Sequence, residues 1–295
     1  MPASAIRKLV PFADAAKKQG VKVYHLNLGQ PDIKSPVCAL DAVRNYSLEN
    51  VSYSHSAGLM ELRKGLVEKY YRKIGIDLTV DELIVTVAGS ESVNLALEIT
   101  CNPGDEVIVL EPFYTNYNTF AFMNGLTLKA IPTDIRNGFQ IPPIEEFEKA
   151  ITDKTKAILV CNPGNPTGTQ YSKESMLALG EIARKHDLFL LSDEVYREFC
   201  YTDEPHFSAM NIPGLEQNVV LIDSVSKRYN LCGARVGCIV SHNKDVMTAA
   251  MKFAQARLCP PVLGQMAAIG ALDTPDEYFE AVKEAIDKAT KEYDV

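Results

Sequence analysis

Ser224-Val225-Ser226-Lys227 follows the apolar run Val219-Val220-Leu221-Ile222, and Arg235-Val236-Gly237 begins eight residues after the lysine. The pattern gathers an amine, two hydroxyls and a guanidinium at the end of one strand-like run. An amine there can condense with an aldehyde, while the hydroxyls and the guanidinium fork bind a phosphate carried by the same molecule. A phosphorylated aldehyde cofactor, pyridoxal phosphate, meets that description. A lysine after a strand is more often a solvated loop residue, so the reading depends on what else the chain brings to the same edge.

Three further stretches bear on it. After the apolar run ending at Val87 comes Ala88-Gly89-Ser90-Glu91-Ser92, then the helical run from Val93 to Thr100. Gly89 permits close backbone approach, and a helix start presents unpaired N–H groups to an anion. Alone this is a tight connection; with Ser224 and Arg235 it makes a second wall for one phosphate. Asn162-Pro163-Gly164-Asn165-Pro166-Thr167-Gly168 follows Leu159-Val160, a rigid turn able to aim one amide inward or to serve only as a turn. Leu190-Leu191-Ser192-Asp193-Glu194-Val195-Tyr196 ends an apolar run on a carboxylate, which is costly to bury without a cation, and a protonated pyridine nitrogen would be one.

These residues need a scaffold that brings several strand ends together. Leu83–Val87, Glu106–Leu110, Lys156–Val160, Leu188–Ser192, Val219–Ile222 and Val236–Val240 read as strands, with amphipathic stretches between them. Such alternation predicts an α/β fold, a mostly parallel sheet with helices on both faces, whose ligands collect at the carboxyl ends of the strands. Leu59, Leu62, Leu66, Val67 and Tyr70 recur at helical spacing and read as core, with no chemistry assigned. Hydrophobic residues form 46% and charged residues 23% of 295, the profile of a globular protein large enough for one big domain and part of a second. A net charge of −8 without a basic stripe argues against a nucleic-acid partner. The seven cysteines lack CxxC pairing and the five histidines lack HExxH spacing, so no metal site is expected. No apolar run approaches a membrane span and no leader pattern opens the chain, so a cytoplasmic location is the default expectation.

With these motifs in this order, the chain resembles the fold-type I pyridoxal-phosphate enzymes, and among them the class I/II aminotransferases of aspartate-aminotransferase type. The resemblance starts at Asn27-Leu28-Gly29-Gln30-Pro31-Asp32 and continues through Tyr53, Ala57-Gly58, Ala88-Gly89-Ser90 and Pro112-Phe113-Tyr114. Asn162 to Gly168, Asp193-Glu194-Val195-Tyr196 and Ser224 to Gly237 complete it. It implies a three-layer α/β/α architecture. Residues 1–40 would belong to a small domain, 41–272 to the large cofactor-binding domain, and 273–295 to the start of an inter-domain helix.

The resemblance further implies that Lys227 forms the internal aldimine and shuttles a proton between the substrate α-carbon and the cofactor C4′. Asp193 would keep the pyridine nitrogen protonated, making the ring an electron sink. Asn165 and Tyr196 would hydrogen-bond the phenolic oxygen, Tyr114 would stack on the ring, and Gly89, Ser90, Ser224 and Arg235 would hold the phosphate. Tyr53 would reach the phosphate of a neighbouring subunit, which implies a homodimer. Gly29 would lie in a loop closing over substrate, with Asn165 also on the substrate side.

Thr274-Pro275-Asp276-Glu277 has the form of a capping box and opens a helix with the stripe Tyr278, Phe279, Val282, Ile286, Ala289 and Tyr293. The expectation is that the chain ends inside this helix, short of the small domain and the arginine that clamps the substrate carboxylate in relatives, and so binds cofactor but transaminates poorly. Ala234 stands where relatives often carry a bulky aromatic. The favoured activity is transfer of an amino group from an aspartate-like amino acid to a 2-oxo acid. A C–S or β-elimination lyase and an inactive cofactor-binding fragment are the alternatives.

Overall fold

A computed structural model describes residues 7–25, 29, 33–47 and 49–293. Seven strands form one sheet: β1 (Leu83–Thr86), β2 (Glu106–Glu111), β3 (Thr127–Pro132), β4 (Thr155–Cys161), β5 (Phe189–Asp193), β6 (Val219–Ser224) and β7 (Gly237–Val240), in the order β1-β7-β6-β5-β4-β2-β3. β3, β2, β4, β5 and β6 run parallel, while β7 is antiparallel to both β6 and β1. The six expected strands are present. β3 is additional: it is an edge strand ending in a proline, where the missing N–H costs no ladder bond.

The helices are α1 (Val10–Lys18), α2 (Val37–Arg44), α3 (Met60–Gly65), α4 (Ala88–Thr100), α5 (Asn116–Met123), α6 (Ile144–Ala150), α7 (Lys173–Lys185), α8 (Val225–Arg228), α9 (Lys244–Arg257), α10 (Val262–Ala271) and α11 (Asp276–Tyr293). Successive strand residues point to opposite faces, so the apolar runs feed two cores. On one face Ile84, Val107, Val109, Leu159, Leu191 and Ile222 pack with Val93 and Leu97 of α4, Tyr117 of α5 and Val246 of α9. On the other, Leu83, Ile108, Ile158, Leu190 and Leu221 pack with Leu62 of α3, Phe147 of α6, Met176 of α7 and Ala268 of α10. The result is three layers, α/β/α.

The stripe beginning at Leu59 forms α3 and a wider turn over Leu66–Tyr71, and Leu62, Leu66, Val67 and Tyr70 are buried as expected. In α11, Val282 is buried and Phe279 packs on Tyr229 with ring centroids 5.9 Å apart; the side chains of Ala289 and Tyr293 lie outside the described ones. None of the described helices is long and apolar enough to cross a membrane.

Candidate active site

The carboxyl ends of β4, β5 and β6 lie side by side, with Cys161 opposite Asp193 and Asp193 opposite Ile222. Lys227 stands one short turn beyond β6. Ser224 caps that turn: its Oγ accepts from Ser226 N at 3.1 Å and lies 3.0 Å from Val236 O, to which it donates. Lys227 is half-buried and its Nζ donates to Gly29 O. A Cβ built on Gly29 would lie 3.8 Å from Lys227 Nζ and 3.9 Å from Tyr196 Oη, so these three residues share one space. Asn165 joins them by donating from Nδ2 to Tyr196 Oη at 3.1 Å. Asn27, Leu28, Gln30, Pro31 and Asp32, the rest of the Gly29 motif, lie outside the described residues.

The turn after β4 separates its two asparagines. Asn162 is fully buried, and its Oδ1 accepts from Tyr171 N at 2.9 Å, which fastens the turn. Asn165 is the amide left facing the tyrosine.

Asp193 is 5% exposed. Tyr117 Oη donates to its Oδ2 at 2.7 Å and Val195 N to its Oδ1 at 3.4 Å, and among the described residues it has no ion-pair partner. Burial pushes its pKa up to about 6, against the opposing pull of the Tyr117 and Val195 hydrogen bonds. Glu194, next in sequence, points back into the fold and is paired with Arg197, Ser192, Ser208 and the Ala209 amide. Tyr114 stands edge-on to Tyr117 at 5.5 Å and receives a 2.7 Å hydrogen bond from Asn116 Nδ2.

Close to Ser224, β1 passes through Val87 into α4, whose first residue, Ala88, holds a left-handed φ of 63°. A Cβ on Gly89 would lie 3.3 Å from Val195 Cγ1 and 3.6 Å from Ser224 Cβ. A Cβ on Gly237 would come within 2.6 Å of Ala88 C and 2.8 Å of Gly89 N, so glycine there lets the α4 turn rest on the sheet. Gly89 therefore lies beside Ser224, and Ser90 is the next residue of the same helix start. Arg235, left-handed and exposed, donates from Nη1 to Cys232 O at 3.1 Å. Tyr53 is the outlier: it is 79% exposed.

The family model for aminotransferase class I and II matches residues 21–295. The chain belongs to that family. It is 33% identical to the aspartate aminotransferase of Thermotoga maritima over 95% of this chain and 74% of that protein. It is 32% identical to the aspartate/prephenate aminotransferase of Thermus thermophilus over 91% and 70%. Among solved structures, the aspartate aminotransferase from Thermus thermophilus with maleate superposes with a TM-score of 0.89 at 32% identity, covering 99% of this chain and 75% of that one. The alanine aminotransferase from Pyrococcus furiosus gives 0.89 at 34%, covering 98% and 76%.

This aminotransferase is thus a pyridoxal-phosphate enzyme, and the residues present suit the cofactor. A buried carboxylate lacking a cation suits a protonated ring nitrogen. The start of α4, held against the sheet at Gly237 and packed beside Ser224, has the first-turn N–H groups that suit an anion such as a phosphate.

Sequence reading did not find what supports these groups. Tyr117, the hydroxyl on Asp193, sits in an aromatic-rich helix and reads as core. Arg228, beside Lys227, is 3% exposed: it donates to both Asp223 oxygens at 2.8 and 2.7 Å and to Glu198 Oε1 at 2.8 Å, and stacks 3.6 Å from the Tyr70 ring centroid. Tyr70, taken only for packing, also donates its hydroxyl to Glu198. A burying partner for the arginine, supplied 128 residues away from Glu198 by Tyr70, leaves no local sequence signal.

Proposed function

We propose that this enzyme moves the amino group of an L-amino acid, with an aspartate-like donor favoured, to a 2-oxo acid, and that Lys227 is the amine that carries the cofactor. The observation that carries the reading is Asp193, a buried carboxylate without a cation among the described residues, at the same sheet edge as Lys227, Asn165 and Tyr196. Pyridoxal phosphate, when bound, supplies a protonated pyridine ring that draws electrons from the substrate α-carbon. Asp193 would face the ring nitrogen and hold its proton in place. Lys227 Nζ would take and hold the proton leaving the α-carbon.

The other residues would orient. Asn165 Nδ2 and Tyr196 Oη, already hydrogen-bonded to each other, would turn toward the phenolic oxygen. Tyr114 would flank the ring. Gly89 and Ser90 amides, the Ser224 hydroxyl and Arg235 would bind the phosphate. Tyr53, exposed on one chain, would reach the phosphate of a second copy in a homodimer, and Gly29 and Asn165 would line the substrate side. The two relatives named aspartate or aspartate/prephenate aminotransferase, and maleate with one solved structure, support a four-carbon dicarboxylic donor over the alanine suggested by the Pyrococcus furiosus structure.

Reductive trapping tests the lysine. Borohydride treatment of the protein with pyridoxal phosphate, followed by peptide mapping, should label Lys227, and a label on another lysine would overturn the assignment. A panel of amino acids with 2-oxoglutarate should yield glutamate, with aspartate the best donor. Pyruvate and ammonia in its place would overturn transfer.

A further inference from the structure

The start of α4 carries a carboxylate where an anion is to bind. Glu91 Oε2 accepts from Val87 N, which satisfies an amide that the first helical turn would otherwise leave unpaired, and fixes the turn whose Ala88 is left-handed. The same carboxylate lies one residue from Ser90 and would repel a phosphate. Arg257, the last residue of α9, answers it: Nε donates to Glu91 Oε1 at 3.0 Å, with the two side chains 17% and 24% exposed, so solvent screens the pair only in part. The same guanidinium donates from Nη2 to Val85 O at 3.1 Å and Ser56 O at 3.3 Å. From α10, the fully buried Gln265 accepts from Leu59 N at 2.7 Å and donates to Ser54 Oγ at 3.2 Å. The segment following Tyr53 is thereby tied to the α4 turn.

We infer that Arg257 is a positioning residue of the phosphate site, cancelling the charge of Glu91 while holding the α4 turn against the Ser54–Leu59 segment. The inference rests on the proposal that Gly89, Ser90 and Arg235 hold the phosphate. Glu91 serves the backbone at the cost of an unwanted charge, and Arg257 removes the charge without disturbing the bond.

Binding of pyridoxal 5′-phosphate and of unphosphorylated pyridoxal to the cofactor-free protein, followed by absorbance, tests it without reference to turnover. Arg257→Met should weaken pyridoxal phosphate about tenfold and leave pyridoxal unchanged, as expected for one uncompensated charge near a dianion. Arg257→Lys should stay within about twofold, since the charge is kept. The double variant Glu91→Gln/Arg257→Met should recover most of the loss, because no charge then needs cancelling. Glu91→Gln alone should bind pyridoxal phosphate as tightly as the parent or tighter, which keeps the test decisive should Arg257→Met fail to fold. A double variant as weak as Arg257→Met, or a weaker Glu91→Gln, would reduce Arg257 to packing and overturn the inference. Arg235→Gln separates the underlying reading: if it leaves phosphate preference intact, the phosphate site itself is misplaced; if it removes that preference while Arg257→Met does not, only the role of Arg257 falls.

Discussion

Asp193 ends β5 and Asp223 stands one residue short of the end of the neighbouring β6; both are buried, yet the fold treats them in opposite ways. Asp193 pairs in register with Ile222, so Asp223, one residue on, faces the other side of the sheet. There Asp223 meets Arg228, which gives it two hydrogen bonds, and Tyr71 Oη, which donates at 2.8 Å. Burial raises its pKa, but the Arg228 and Arg197 charges prevail and hold it below the ordinary carboxylate value. Asp193, on the Tyr117 side, has hydrogen bonds but no cation among the described residues, and burial prevails. The difference separates structure from readiness. A buried carboxylate paired with arginine holds its charge, whereas one with no cation among the described residues is held toward its neutral form until a cation is brought to it.

Removing the compensation of Asp223 should have the largest effect. Arg228→Met would strand Asp223 and Glu198 beside a neutral side chain, and should cost about 3–5 kcal/mol in urea unfolding. A cost under about 1 kcal/mol, the level of an exposed pair, would mean that Asp223 is no better compensated than Asp193.

Asp193→Asn should act in the opposite direction on the cofactor-free protein. With a folded pKa of about 6 against an ordinary 3.8, the folded state holds this proton when the unfolded state has released it. Stability is therefore full below about pH 4 and falls as pH rises through 6, by roughly 3 kcal/mol from this residue. Asparagine should abolish that fall and make the protein more stable at pH 8, while turnover with cofactor drops by about a hundredfold or more. Unfolding curves at pH 4 and pH 8 check the sign, and an unchanged slope would remove the contrast between the two aspartates.

Much of this was legible from residue order. Lys227, Asp193 and Asn165 each follow an apolar run, and runs separated by helical stretches predict parallel strands whose ends meet, so long-range neighbours could be inferred without knowing any contact. Support for those residues was not legible. Tyr117 lies among Phe113, Tyr114, Phe120 and Phe122, where an aromatic reads as core, and its partner Asp193 is 76 residues away. Arg228 beside Lys227 looks like one more solvated cation until Asp223, Glu198 and Tyr70 close on it. β3 escaped because an edge strand is wetted on part of its length and its apolar signal is broken by Thr127 and Lys129.

Tyr117→Phe sharpens the contrast by leaving Asp193 still less compensated. The hydroxyl favours the charged carboxylate, so its loss should push the Asp193 pKa further above about 6. The cost should be about 1–2 kcal/mol at pH 8 and much less at pH 4, where Asp193 is protonated in either protein. An equal cost at both pH values would show that Tyr117 packs without serving Asp193.

The smallest effect belongs to Tyr53, which has no part in either buried site. Because its side chain is 79% exposed, Tyr53→Phe should change unfolding stability by less than about 0.5 kcal/mol. Its proposed task lies in a second copy of the chain, where the hydroxyl would donate to the phosphate. Removing one such hydrogen bond should weaken pyridoxal phosphate about fivefold under conditions where the protein is dimeric, and leave pyridoxal unaffected. At dilutions where sedimentation shows only monomer, parent and variant should bind alike. A loss that persists in the monomer would place Tyr53 in its own chain's site and remove the residue-level argument for the dimer, whereas no loss at any concentration would return Tyr53 to the plain exposed surface.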